Sequence, residues 1–108
     1  VLHPDFIFFE KVGDREMPAI VDPHGLHLAD TMPKLKGIAR YVEDFGESFS
    51  RYWFVSDYKG QATYLDMKDA ETRSVISTAS DAYECFAKCG KKYMDGPLSK
   101  SKDGYRKK

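Results

Sequence analysis

The chain predicts an α/β fold with a mixed sheet of about four strands, in the order strand, strand, helix, strand, strand, helix. Three observations carry that expectation. Two apolar, β-branched or aromatic runs, Phe6 to Val12 and Met17 to Val21, flank Gly13-Asp14, a two-residue hairpin signal. The run from Phe49 to Asp57 is apolar at both parities, as in a strand buried on both faces. Two further stretches repeat apolar residues at helical spacing.

Taken in order, the hairpin comes first. With Gly13 and Asp14 as its loop, Val12 faces Arg15, Lys11 faces Glu16, Ile7 faces Ile20 and Asp5 faces Asp22. Gly25 to Ala29 connects to a helix opened by Asp30 or Thr31, with Pro33 in its first turn. Leu35, Ile38, Tyr41 or Val42, and Phe45 form its apolar stripe, and Gly46 supplies the stop. The strand from Phe49 to Asp57 should be central and parallel to Met17 to Asp22, because a helix lies between them. Tyr58-Lys59-Gly60-Gln61 then turns the chain into an antiparallel partner, Ala62 to Met67. Asp69 is the expected N-cap of one long helix through Val75, Ala79, Ala82, Phe86 and Cys89, ended by Gly90 and covering the sheet's other face or reaching a partner.

The register brings chemistry to the open end of the hairpin. Directly opposed strand residues have Cβ atoms about 4.5 to 5.5 Å apart, close enough that two ionised carboxylates need a counter-charge. Asp5 and Asp22 would be such a pair, and a divalent cation would supply the charge. Alternation along the strand sets His24 on the face of Asp22, with Pro23 turned away. A second cluster, Asp22, His24, His27 and Asp30, has the spacing of a transition-metal site but needs a tight loop to converge. Against both stands the plain alternative that aspartates beside prolines shape turns and bind nothing.

Pro4-Asp5, sixteen intervening residues and then Asp22-x-His24 resembles the PD-(D/E)XK nuclease motif, with His in place of the usual Lys. HPDFIFF followed by VDPHG resembles, more narrowly, the nuclease-like domain of type III restriction subunits and related superfamily 2 helicases of bacteria and phages, over residues 3 to 67. The resemblance implies a restriction-endonuclease-like core lacking its first helix and strand, and a metal-dependent DNA endonuclease. Asp5 and Asp22 would hold Mg²⁺ or Mn²⁺, the Pro23 carbonyl would join them, and His24 would stand in for the Lys that places the attacking water.

Composition sets the remaining bounds. With 42% of its 108 residues apolar and 14% aromatic, the chain is expected to fold as one domain over residues 1–90. No run approaches a membrane span and the N-terminus lacks a signal-peptide pattern, so a soluble, cytoplasmic protein is expected. The formal net charge of zero divides unevenly: residues 1–90 hold 10 Lys and Arg against 15 Asp and Glu, and residues 91–108 hold 7 against 2. The latter reads as a basic, disordered tail, either a nucleic-acid contact or a solvated end. Lys34, Lys36 and Arg40, near the start of the first helix, are the expected DNA contacts, against the plainer reading of a solvated face. Cys85 and Cys89, four apart on a helix, suit neither a four-ligand zinc site nor a disulfide.

Two functions follow: a DNA phosphodiesterase, or a catalytically silent module with a structural, DNA-contacting or protein-binding role. Phe6 to Phe9 is apolar toward both faces and carries too little charge to protect an edge. The chain is therefore expected to pair at residues 5–12, as a homodimer or with another polypeptide.

Overall fold

A computed structural model describes residues 6–93. Strands β1 (Phe6–Val12) and β2 (Arg15–Pro23) lead to helix α1 (Thr31–Phe45), then β3 (Arg51–Tyr58) and β4 (Gln61–Asp66). Helices α2 (Ala70–Thr78) and α3 (Ala82–Cys89) and a short β5 (Lys91–Lys92) complete the described chain. The result is an α/β structure with one mixed sheet, ordered β1-β2-β3-β4-β5.

The hairpin has the register its turn dictates. Val12 pairs with Arg15, Lys11 with Glu16 and Ile7 with Ile20, and the pairing runs unbroken to Phe6 and Val21. Gly13 takes φ +62° while Asp14 does not adopt a positive φ, the pattern of a type II′ turn. Lys59 and Gly60, at φ 55° and 77°, supply the two left-handed residues of the β3–β4 turn. Pairing of Asp5 with Asp22 lies outside the described residues, as does His3.

β2 and β3 run parallel, Ile20 beside Tyr52 and Asp22 beside Phe54, because α1 carries the chain back between them. Ile20, Tyr52, Phe54 and Leu65 therefore share one sheet face. They form a single core with Leu35, Ile38 and Val42 of α1, Ile76 of α2, and Cys85 and Phe86 of α3. Each such side chain, fully withdrawn from water, contributes roughly 1.5 to 3 kcal/mol. All three helices pack on this one face, where the sequence placed the last helical segment on the opposite face or against a partner.

The opposite face carries aromatics. Trp53 stacks on Tyr64 with ring centroids 3.9 Å apart, Tyr93 meets both edge-on, and the Arg51 guanidinium lies 5.1 Å above the Trp53 ring. Glu10 of β1 fixes that guanidinium from the neighbouring strands, its carboxylate 2.8 Å from Arg51 Nε.

Three differences from the sequence reading have local causes. The long helix from Asp69 is two helices, because Asp81 adopts an extended backbone and its carboxylate accepts the Glu84 N–H at 2.9 Å, starting α3 anew. Glu84 in turn accepts the Ser80 N–H at 3.1 Å and the Lys88 ammonium at 3.0 Å, so the apolar spacing runs through a real break. Gly46 does not end α1 by a left-handed turn; at φ −60° it continues into a 3-10 turn, Gly46–Ser48. Lys91–Lys92 pairs with Thr63 and Tyr64 of β4, giving five strands and not four. The basic segment's expected disorder otherwise falls on residues 94–108, outside those described.

The thiols are free, Cys85 buried and pushed up to about 11 by that burial, Cys89 half-buried. Among the described residues no helix is long and apolar enough to cross a membrane.

Asp69 is the N-cap of α2, accepting from the Thr72 hydroxyl at 2.8 Å and the Thr72 N–H at 3.2 Å, and these bonds hold its carboxyl below the usual range. Asp69→Ala should cost about 1 kcal/mol at neutral pH. A depressed carboxyl stabilises above its unfolded value and loses that contribution as pH falls through the folded one. The difference between wild type and variant in urea melts should therefore shrink in acid, and a gap unchanged with pH would contradict this account.

Candidate functional site

The site lies where the parallel strands end. The C-terminal edge of β2 and β3 is the one place at which the crossover loop, residues 24–30, and the first turn of α1 both overhang the sheet. Asp22 is the last helix-facing residue of β2 and is 2% exposed. A lone carboxylate at that depth would be strongly disfavoured. The Lys34 ammonium meets it at 3.3 Å to each oxygen. Lys34 stays 27% exposed, its stem running from α1 toward the strand end.

His24 continues the ladder beyond β2, its N–H donating to the Val55 carbonyl at 2.9 Å. Its ring lies 5.7 Å from that of Phe54, which puts it on the face of Asp22. Nε2 is 3.0 Å from Asp30 Oδ1. An ionised carboxylate only accepts, so Nε2 carries the proton in that contact and Nδ1 is left as the acceptor of a neutral imidazole. Asp30, one of the two residues expected to open α1, does stand at its N-cap position, but its side chain turns to His24 and makes no cap bond. The loop is closed instead by the Thr31 hydroxyl, which donates to the Gly25 carbonyl at 2.7 Å.

Beside this cluster is an open cavity of about 750 Å³ lined by Pro23, His24, His27, Ser56, Asp57 and Tyr83. Asp22 and Lys34 are not part of its lining. The Tyr52 hydroxyl is buried with no hydrogen-bond partner and is pushed far up by burial and then by the Asp22 charge, so it stays neutral.

Asp22 and His24 are thus together on the expected face, while Asp5 lies outside the described residues. The four-residue cluster of Asp22, His24, His27 and Asp30 does not converge. Asp22 is drawn to Lys34 and Asp30 to His24. Among the described residues no group of three or more His, Cys, Asp or Glu side chains could hold a metal ion.

The three basic residues proposed for DNA have separate fates. Lys34 faces Asp22. Lys36 donates to the carbonyls of Ile76 and Ser77 at 3.2 Å each, capping the end of α2. Arg40 is exposed beside a groove shared with Glu43 and Arg73. The Lys34–Asp22 pair was the residue contact that sequence reasoning missed. Its signal was present: a helix starting nine residues after a strand's last acid must hold its first turn over that strand end.

Comparison with known proteins gives one family. The YagJ family matches residues 1–94. Protein YagJ of Escherichia coli (strain K12) is 37% identical over 87 residues, covering 81% of this chain and 36% of that protein. The chain thus spans about a third of the length of this curated relative. No solved structure matches. These findings overturn the resemblance to PD-(D/E)XK nuclease and helicase families, which rested on two short motifs.

The ion pair has a thermodynamic signature. Lys34→Met removes the ammonium from a buried carboxylate and should cost on the order of 2 kcal/mol, below the figure for a fully buried pair because Lys34 is partly solvated. Asp22→Leu with Lys34→Met should lose less than the single Lys34 variant. Additive losses in a double-mutant cycle would mean that the two groups do not interact.

Proposed function

The chain belongs to the YagJ family, and we propose that it is a divalent-metal-dependent phosphodiesterase acting on DNA at the Asp22–His24 end of its sheet. The observation that carries this reading is an ion pair buried at the end of β2, Asp22 with Lys34, two residues along the strand from an oriented imidazole, His24, that lines an open cavity. Asp22, Lys34 and His24 supply between them an anionic ligand, a fixed positive charge and a proton acceptor.

The donor set suits Mg²⁺ in kind. Mg²⁺ keeps several waters and is commonly held by one or two carboxylates together with substrate phosphate, so a cluster of three protein side chains is not required. Asp22, the Pro23 carbonyl and Asp5 are the groups that would hold it. When bound, it would neutralise phosphate charge and acidify a water. Binding requires Lys34 to yield at least one Asp22 oxygen. The Lys34 ammonium, still within reach, would then stabilise charge developing on a phosphoryl oxygen. His24, its Nε2 held by Asp30, would accept a proton at Nδ1 from the attacking water.

A second reading has its own observation. Lys34 already neutralises Asp22, and a permanent pair is what a catalytically silent module, kept for structure or for contacting DNA or protein, would contain.

Nicking of supercoiled plasmid DNA separates the two. The hydrolytic reading expects Mg²⁺- or Mn²⁺-dependent relaxation that disappears in Asp22→Ala and falls at least about tenfold in His24→Ala, the scale of a lost general base. Cleavage that persists in Asp22→Ala would assign it to a contaminant. No cleavage, with no metal-dependent rise in melting temperature, would favour the silent module.

A further inference from the structure

We infer that two copies of this chain join through β1, antiparallel and edge to edge, with the two-fold axis at Phe9. Among the described residues β1 ends the sheet, and Phe6, Ile7, Phe9 and Val12 are 45%, 56%, 65% and 47% exposed. Ile7 and Phe9 are bared on the helix face and Phe6 and Val12 on the other, so the edge is apolar toward both faces.

The hairpin decides which backbone groups are on offer. Val12 and Arg15 close a two-residue turn and so exchange hydrogen bonds. Alternation then turns the N–H and C=O of Phe6, Phe8, Glu10 and Val12 toward β2 and those of Ile7, Phe9 and Lys11 outward. Pro18 provides an independent check. It stands opposite Phe9, and a proline, having no N–H, fits only a pair that exchanges no bonds.

A two-fold axis between antiparallel strands must be perpendicular to the sheet, so each residue faces one of the same parity. With Phe9 opposite Phe9 of the second copy, Ile7 faces Lys11 and Lys11 faces Ile7. Every outward-directed residue of β1 is then paired, giving about six main-chain bonds. On the other face Phe6 meets Val12 and Phe8 meets Glu10. Charge selects the same register. Sliding one pair toward the turn sets Glu10 against Glu10, the next step sets Lys11 against Lys11, and like charges directly opposed are unfavourable. Sliding the other way sets Phe8 against Phe8 and, within Phe6–Val12, keeps two outward-directed pairs in place of three.

The occupant is a second copy because the arrangement is self-complementary and closes. The far edge of the sheet is β5, only Lys91–Lys92, short and doubly charged, which discourages further addition. The apolar side chains alone are less than a standard stable interface buries, so the main-chain bonds carry the contact and the association should depend on concentration.

Sedimentation velocity on the full chain, with amide hydrogen exchange, tests this. The expected result is a concentration-dependent dimer in which the amides of Ile7, Phe9 and Lys11 are protected. Phe9→Lys, which opposes two charges on the axis, should yield a monomer with an unchanged circular dichroism spectrum and fast exchange at those amides. Should that variant fail to fold, exchange in the wild type decides alone. A monomer at all concentrations up to tens of micromolar, a dimer in which those three amides exchange freely, or open-ended association would each overturn the inference.

Discussion

The parallel pairing of β2 with β3 is the constraint from which the site follows. Parallel neighbours cannot be joined by a turn, so the chain must leave β2, cross the sheet and return. α1 makes the crossing, and its first turn has to begin close to where β2 stops. Asp22 and Lys34, twelve residues apart, are brought to 3.3 Å by that geometry and by nothing in their local sequence. The same crossover creates the loop that carries His24 and Asp30. An antiparallel arrangement of these strands would have scattered all four residues.

Placing Asp22 there works against stability. The core of so small a domain offers little water to a carboxylate at 2% exposure, and the desolvation of an ion pair commonly consumes what its attraction returns. An apolar pair of similar volume would serve the fold as well. The Tyr52 hydroxyl, buried without a partner close enough to feel the Asp22 charge, adds a second polar cost in the same layer. Two such departures in the same layer are the pattern expected where a structure accommodates chemistry as well as packing.

What the sequence disclosed was local or periodic. The Gly13-Asp14 turn fixed seven strand pairs, since a hairpin register has no freedom once its loop is known. β3 was legible from apolar residues at both parities, and the Asp69 cap from its place before a periodic run. What escaped depended on competition between local bonds. Asp30 chose His24 over the helix terminus, and Asp81 broke a stripe whose spacing alone argued for continuity. Lys36 was read as a surface charge available to DNA because its partners, the carbonyls of Ile76 and Ser77, are some forty residues away. The nuclease resemblance failed for a related reason: Pro-Asp and Asp-Pro-His are short pieces that turn chemistry alone favours, too little to identify a family.

The β1–β2 hairpin links the two features that are not explained by packing. Its inner strand carries Asp22 into the layer beneath α1, and its outer strand exposes Ile7 and Phe9 on that same helical face. Because side chains alternate strictly, these placements are one choice: the register that buries Ile20 and Asp22 must also set Ile7 toward the helices' side, beyond their reach. A slip of one residue would hide Phe6 and Phe8 differently but would drive Asp22 to the aromatic face, beside Trp53 and away from Lys34. The exposed edge is therefore a consequence of holding the carboxylate where it is, and its apolar residues persist in a position that charge or proline would protect more simply.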